Sequence, residues 1–151
     1  MKDEVVITPA HSGDADAITA LVAEAYRPYI ARIGREPAPM MVNYGDIVAA
    51  GLAMVARRGT ELLGILVTKP QVDHLLLENV AVAASARGFG VGTKLLEAAE
   101  CQARSLGLHE IRLYTNRLMT ENLAYYPRHG YREVDRRVED GFDRVHFVRQ
   151  V

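Results

Sequence analysis

Apolar residues recur along the chain at two spacings, which predicts strands and helices in succession. A two-residue period at Val5 and Ile7 indicates a first strand. A longer period then predicts a helix, which Ser12 or Asp14 can cap. The apolar positions of this helix are Ile18, Leu21, Val22 and Ala25.

The middle of the chain is predicted to be mostly extended. A short helix over residues 46–50 ends at Gly51. The stretch LAMVARRGTELLGILVTK predicts two strands about a turn at residues 58–60, and HLLLENVAVA predicts a third, almost wholly apolar strand. A longer helix follows and ends at Gly107. Its apolar face consists of Val91, Leu95, Ala98, Ala99 and Leu106.

The last third of the chain returns to strands. EIRLYT predicts one strand, residues 122–128 a short helix, and YREVDRRV and FDRVHFVR two closing strands joined by an Asp140–Gly141 turn. We therefore expect an α/β (α+β) fold with a central, mixed, mostly antiparallel sheet and helices on both faces. A chain of 151 residues suffices for one buried core, which predicts a single domain over residues 1–151.

Charge and cysteine content exclude several classes of partner. Eighteen basic against 19 acidic residues give a net charge of −1, so no large positive field attracts nucleic acid or an anionic membrane. The single cysteine, Cys101, cannot form an intrachain disulfide, and no apolar run reaches the roughly 18 residues of a membrane span. MKDEVVITPA does not resemble a signal peptide, so we expect a cytoplasmic location. The histidines show no metal-ligand spacing, and we expect no metal.

Two interpretations of residues 27–46 stay open. This segment carries three of the six prolines, together with arginines, tyrosines and methionines. A linker is one interpretation, and an ordered loop over a binding site is the other.

Three glycines, Gly88, Gly90 and Gly92, stand between a buried strand and the first turn of a helix. The first amides of a helix have no internal partners and lie at the positive end of its dipole. Glycines would leave those amides uncovered, which predicts a phosphate seat, and Arg87 adds a cation. The alternative is a glycine turn without a ligand that lets strand and helix pack closely.

Two familiar phosphate loops do not fit this segment. Thr93 stands where a dinucleotide fingerprint needs its third glycine. The order Gly92-Thr93-Lys94 is wrong for a Walker loop, which needs Gly-Lys-Ser/Thr. Both nucleotide interpretations are therefore excluded.

Two motifs in succession resemble those of the GNAT acetyltransferase superfamily. Arg87-Gly88-Phe89-Gly90-Val91-Gly92 matches its acetyl-coenzyme A signature, Arg/Gln-x-x-Gly-x-Gly/Ala. Downstream, ENLAYYPRHGY is similar to its Asn-x-x-Ala…Tyr-x-x-x-Gly-Phe/Tyr stretch, with Asn122, Tyr126, Gly130 and Tyr131 in the corresponding places. The resemblance implies an N-acetyltransferase that moves an acetyl group from acetyl-CoA to a primary amine of a small molecule or peptide by direct attack. It also implies that the fourth and fifth strands splay apart.

The resemblance further implies roles for single residues. The backbone of Val80 and Val82 would pair with the pantetheine arm, and the Val80 amide would donate to the developing oxyanion. Asn122 would contact the pantetheine region, and the Tyr126 hydroxyl would protonate the departing thiolate. The implied cofactor-binding set is Val80, Ala81, Val82, Arg87, Gly88, Phe89, Gly90, Val91, Gly92, Thr93, Asn122 and Tyr126.

Glu78 is the candidate base that deprotonates the amine. On a regular strand Glu78, Val80 and Val82 share a face, which would place the carboxylate beside the pantetheine-binding backbone. The alternatives are an acid that forms an ion pair at a strand edge, and a water chain that replaces the base.

Tyr125 competes with Tyr126 for the functional position. The four-residue distance to Gly130 favours Tyr126, whereas Pro127 is expected to shorten or kink the helix that carries it. His129 is interpreted as a surface histidine.

The acceptor stays open at this stage. The early helices and their loop would supply the acceptor surface, where arginines favour a carboxylate and acids an ammonium. The candidates are Tyr26, Tyr29, Arg32, Arg35, Glu36, Met40, Met41, Tyr44 and Asp46. A non-catalytic acyl-CoA-binding sensor is the alternative function. Exposed strands near the C-terminus would permit a homodimer.

Overall fold

A computed structural model describes residues 4–151, so residues 1–3 of the expected domain lie outside the described part. The strands are β1 (Val5–Pro9), β2 (Ala53–Arg58), β3 (Glu61–Pro70), β4 (Leu75–Val82), β5 (Glu110–Asn116), β6 (Arg132–Glu139) and β7 (Phe142–Gln150). The helices are α1 (Ala15–Tyr26), α2 (Pro28–Ile33), α3 (Tyr44–Ala49), α4 (Val91–Ser105) and α5 (Thr120–Arg128). No helix in this part of the chain is long and apolar enough to cross a membrane.

The strands form one sheet in the order β1-β2-β3-β4-β5-β7-β6. Every pair is antiparallel except β4 with β5. Helices α1 and α3 pack on one face through Ile18, Val22 and Val48, and α4 packs on the other through Leu95 and Ala99. We call these the α1 face and the α4 face. The expected mixed, mostly antiparallel sheet with helices on both faces is confirmed.

Strands β4 and β5 separate soon after they meet. Their pairing comprises only Leu75 with Ile111 and Leu76 with Arg112. Within the described part of the chain, residues 77–82 of β4 therefore have no strand partner on the β5 side. The gap is the splay that the motif resemblance implied.

The open edge of β4 presents alternate backbone groups to this gap. The amide of Ala83 donates to Leu63 of β3 over 2.8 Å. Because successive residues of an extended chain direct their amides to opposite sides, Val82 and Val80 direct theirs away from β3 and into the gap. These are the two residues whose backbone was predicted to pair with a ligand.

A β-bulge interrupts β4 at Glu78. Asn79 pairs with Val67, whereas Leu77 pairs with Thr68, the next residue along β3, so Glu78 has no partner there. One extra residue reverses the alternation of faces beyond it.

The prediction that Glu78 shares a face with Val80 and Val82 is therefore wrong. Val80 and Val82 pack against the core on the α4 face. Glu78 lies on the α1 face, beside Tyr44, and its Oε1 is 3.6 Å from Nζ of Lys69. A period of two cannot reveal a bulge, because the inserted residue changes the phase of the strand without changing its composition.

Residues 27–46 form an ordered cover over the sheet, not a linker. They include α2, a 3₁₀ turn at Ala38–Met41 and the start of α3, whose cap is Asn43 through a bond from the Asp46 amide. One further expectation is corrected: Leu106 lies just beyond α4 and is 50% exposed, so it does not belong to the apolar face of that helix.

Candidate active site

Two clefts meet where β4 and β5 part. The first, which we call the loop cleft, has a volume of about 590 Å³ and runs along the glycine loop between α1 and α5. The second, the splay pocket, has a volume of about 110 Å³ and opens between β4 and β5 beneath residues 37–44. The residues that line both are Tyr26, Val80, Met119, Asn122 and Tyr126. Molecules bound in the two clefts would therefore touch at these five residues.

The glycine loop exposes the N-terminus of α4 to the loop cleft. Gly88 and Gly90 have φ angles of 84° and 78°, a left-handed conformation that side chains other than glycine rarely adopt. Gly90 is also the N-cap, so no side chain caps the first amides of the helix. Arg87 and Thr93 line the same cleft. Uncapped amides beside a guanidinium suit a phosphate group.

Gly92 serves a different purpose from the other two glycines. Its φ is not positive, and a Cβ there would stand 2.5 Å from the hydroxyl oxygen of Tyr125. The prediction that Gly92 keeps a side chain away from an anion is therefore incomplete, because its absent side chain makes room for Tyr125.

Tyr126 is nearly enclosed yet lies at the junction of the clefts. Its side chain is 6% exposed and its ring packs edge-on against Tyr131 and near Phe147. Burial raises the pKa of the Tyr126 hydroxyl well above its usual value, so the group is protonated at neutral pH. A protonated phenol at this junction can donate a proton.

Tyr125 lines only the loop cleft and is half-buried. The His129 ring packs against it at an interplanar angle of 46°, with ring centroids 4.4 Å apart. Helix α5 ends at Arg128, directly after Pro127, and the Tyr131 amide reaches back to the Tyr126 carbonyl over 3.1 Å. The helix is thus short, as Pro127 suggested.

Asn122 and Glu78 take positions on different walls. Asn122 lines both clefts and its Nδ2 donates to Thr115 Oγ1 over 3.0 Å. Glu78 lines the splay pocket only, on the wall that faces α3. The candidate base is thus in the pocket beside the junction, not in the loop cleft.

Most of the predicted acceptor surface lies outside the clefts. Of the nine candidates, Tyr26 and Tyr44 line the splay pocket and Tyr29 lines the loop cleft. Arg32 is engaged by Glu121 through two hydrogen bonds of 2.7 and 3.3 Å, and these lower the pKa of Glu121 to about 2. The Arg35 guanidinium lies 4.0 Å from the ring centroid of Phe142.

Sequence reasoning missed several polar residues of the splay pocket, among them Asn79 and Arg144. Asn79 is 5% exposed and, with Glu78, is one of two polar residues in the strand LLLENVAV, which was an available signal. Arg144 is 8% exposed and lies over the Tyr114 ring, 4.3 Å from its centroid. Nothing in the local pattern of β7 distinguishes Arg144 from a surface arginine.

Among residues 4–151 no three His, Cys, Asp or Glu side chains come together as a metal-binding group. A search among curated proteins by sequence found no significant match.

Solved structures share the whole fold at low identity. PaiA N-acetyltransferase from Thermoplasma acidophilum in complex with coenzyme A superposes with a TM-score of 0.82 at 17% identity, over 98% of this chain and 99% of that one. A GNAT family acetyltransferase from Elizabethkingia anophelis with acetyl-CoA bound superposes with a TM-score of 0.73 at 18% identity, over 99% of each chain. Arabidopsis thaliana Naa50 in complex with the bisubstrate analogue CoA-Ac-MVNAL superposes with a TM-score of 0.74 at 16% identity, over 97% of this chain and 99% of that one.

The family assignment comes from sequence. Residues 17–131 match the model of the acetyltransferase (GNAT) family, and this stretch includes the glycine loop, the splayed strands and α5. The match covers well over half of the chain, and the fold agrees with it. The chain belongs to the GNAT acetyltransferase family.

Proposed function

We propose that the protein transfers an acetyl group from acetyl-CoA to a primary amine of a small molecule or peptide, by direct attack while both are bound. The observation that carries the proposal is the junction of the loop cleft and the splay pocket at Val80, Asn122 and Tyr126. A thioester in one cleft and an amine in the other would meet there, and holding two reactants together contributes roughly 7–11 kcal/mol.

The loop cleft fits coenzyme A in three respects. The uncapped amides of α4 and Arg87 suit its diphosphate. The open edge of β4 at Val80 and Val82 suits the amide groups of its pantetheine arm, as an added strand would. Its thioester supplies an activated acyl carbon when it is bound.

Residues at the junction and Glu78 beside it would handle the protons. Glu78, directly or through water, would take one proton from an ammonium and pass it to solvent, and would then take a second proton from the nitrogen as the neutral amine attacks. The amide of Val80 would donate to the thioester carbonyl oxygen. The amine nitrogen bonds to the acyl carbon, the carbon–sulfur bond breaks, and Tyr126 gives its proton to the sulfur. Solvent then returns one proton to Tyr126 and removes one from Glu78.

The splay pocket favours an enzyme over a non-catalytic acyl-CoA sensor, because a sensor needs no second cleft that opens onto the thioester. The test is a panel of alkylamines, polyamines, amino-acid amides and short peptides, with acetyl-CoA and a free-thiol readout. Thiol release that depends on an acceptor, together with a matching acetylated product, supports the enzyme. Cofactor binding by calorimetry without turnover on any acceptor supports the sensor.

A homodimer stays part of the proposal. β6 is an edge strand whose residues are almost all exposed, including Val134 and Val138 at 47% and 72%. An unpaired edge of this kind can pair with a second copy. Light scattering after size-exclusion chromatography measures the molar mass in solution and distinguishes a monomer from a homodimer.

A further inference from the structure

A chain of hydrogen bonds crosses the α1 face at the bulge of β4. The Tyr26 hydroxyl lies 2.6 Å from Asn79 Oδ1, and Asn79 Nδ2 lies 3.0 Å from the Tyr44 hydroxyl. The Tyr44 hydroxyl in turn lies 2.7 Å from the carbonyl oxygen of Pro39. The chain links the end of α1, strand β4, helix α3 and the cover of the splay pocket.

The direction of every bond in the chain is fixed from one end. A carbonyl oxygen only accepts, so Tyr44 must donate its single proton to Pro39. Tyr44 can then only accept from Asn79, which turns the Asn79 nitrogen toward Tyr44 and its oxygen toward Tyr26. Tyr26 must therefore donate its single proton to Asn79. No other assignment satisfies all four groups.

The Tyr26 oxygen is consequently left with lone pairs and no proton to offer. Tyr26 is one of the five residues that line both clefts, and its phenol group lies near enough to Tyr126 to raise the pKa of the Tyr126 hydroxyl. Tyr126 lines the same junction and takes no part in the chain of hydrogen bonds, so the chain does not use the proton of the Tyr126 hydroxyl. Toward a ligand at the junction, Tyr26 can therefore only accept a hydrogen bond, whereas Tyr126 can donate one.

We propose that the Tyr26 oxygen accepts a hydrogen bond from an N–H of the acceptor amine and holds the amine at the junction, with Asn79 as the positioning residue that fixes the Tyr26 hydroxyl. This inference rests on the proposed function and adds a specificity-determining contact to it. An amine or ammonium has N–H donors to give, whereas a group without N–H gains nothing from Tyr26.

Two other features of the junction agree with this role. Glu78 stands on the same α1 face as Asn79, so an amine held at Tyr26 would have the candidate base on its side of β4. Burial also raises the pKa of Tyr26, which keeps its proton in place for Asn79 at neutral pH.

The first experiment uses the amine of the panel that is acetylated fastest. Its affinity, and that of its trimethylammonium analogue, are measured by calorimetry on the protein saturated with coenzyme A, where no turnover occurs. Loss of a hydrogen bond to an amine corresponds to about a tenfold loss of affinity. We expect Tyr26→Phe to bind the amine about tenfold more weakly than the native protein does, and to bind the trimethylammonium analogue, which has no N–H, within about twofold of the native affinity. Tyr131→Phe is the control, because that hydroxyl is buried with no partner among residues 4–151 and lines neither cleft.

The second experiment tests the positioning role of Asn79. Asn79→Ala should raise the KM for the amine and leave the coenzyme A affinity within about twofold. If Asn79 acts through Tyr26, the double variant Asn79→Ala/Tyr26→Phe shows no further rise in KM beyond Tyr26→Phe. Additive increases overturn the role of Asn79.

The outcomes separate this inference from the proposed function. If the native protein acetylates no amine of the panel, the proposed function fails and the Tyr26 contact fails with it. If the native protein is active and Tyr26→Phe binds the amine as tightly as the native protein does, or loses affinity equally for the amine and the trimethylammonium analogue, only the Tyr26 contact is overturned.

Discussion

The hydroxyl of Tyr125 lies so close to Gly92 that a Cβ at residue 92 would stand 2.5 Å from the phenolic oxygen. Gly92→Ala therefore forces the Tyr125 hydroxyl to shift. The cost is about 1 kcal/mol in the free energy of unfolding, because the displaced atom is the outer end of a half-buried side chain. Without the hydroxyl the nearest ring atom is 3.6 Å away, which is ordinary contact. We expect Gly92→Ala to lower the melting temperature and Gly92→Ala/Tyr125→Phe to recover most of the loss. Equal destabilisation in the two backgrounds would show that the clash is absent.

The glycine loop and the far end of α4 offer a matched pair of positions. Gly90 and Gly107 have φ angles of 78° and 72°, and a Cβ at either would meet nothing within 4 Å. Alanine at either position should cost about 1–2 kcal/mol of stability through the left-handed backbone alone. Only Gly90→Ala should also weaken the binding of coenzyme A, measured by calorimetry below the melting transition. Equal coenzyme A affinities in the two variants would contradict the phosphate seat.

Tyr126 is predicted to act as the proton donor to the departing thiolate. Tyr126→Phe removes only the hydroxyl from a residue that is 6% exposed, so the ring contacts with Tyr131 and Phe147 remain. We expect kcat to fall about 10²- to 10⁴-fold while the coenzyme A affinity stays within about threefold. Tyr125→Phe, on the neighbouring residue, should change kcat far less. An unchanged kcat in Tyr126→Phe would remove the assigned role.

The sequence predicted those parts of the fold that depend on local chemistry. The Asp140–Gly141 turn was predicted, and both residues are left-handed, with φ angles of 54° and 79°. A two-residue type I′ hairpin turn requires this conformation. The glycines before α4 likewise predicted that the first amides of this helix are not covered by a side chain. The splay of β4 from β5 came only through the motif resemblance, because no pattern within either strand states where pairing stops.

The bulge at Glu78 marks where sequence reasoning failed at the site. One inserted residue moved Glu78 to the α1 face, away from Val80, and placed Asn79 against Tyr26 and Tyr44. The face that Asn79 takes depends on its long-range partners, which are Tyr26 at a separation of 53 residues and Tyr44 at a separation of 35. A strand pattern holds no information about them.

Glu78→Gln tests the base in its corrected position. Since Glu78 lines the splay pocket and a water chain can share its work, we expect kcat/KM for the amine to fall about 10- to 100-fold without loss of all activity. Lys69, whose Nζ lies 3.6 Å from Glu78, provides a second variant. Lys69→Met should change the rate less, because its side chain is 47% exposed and solvent screens the pair. A rate unchanged in Glu78→Gln would assign the proton to water alone.

Asp14 joins the start of α1 to β2 and predicts a pH-dependent stability. The side chain is 6% exposed, accepts from the His11 amide over 2.9 Å and forms an ion pair with Arg57. Burial alone raises the pKa of Asp14, but the bonds from Arg57 and the His11 amide outweigh it and hold the pKa below 3.8. Because the unfolded chain binds this proton more readily, the stabilisation is fully present above about pH 4 and is lost as the pH falls through the folded pKa.

Asp14→Asn should therefore lower the free energy of unfolding at pH 7 by about 1–3 kcal/mol. The difference from the native protein should shrink at pH 3 and below, where the native carboxyl itself becomes protonated and the pair with Arg57 no longer distinguishes the two proteins. Urea unfolding at pH 7, 5 and 3 measures this, with Asp16→Asn, an exposed neighbour on α1, as the control. A difference that stays constant from pH 7 to pH 3 would mean that Asp14 stabilises the fold through its shape and not through its charge.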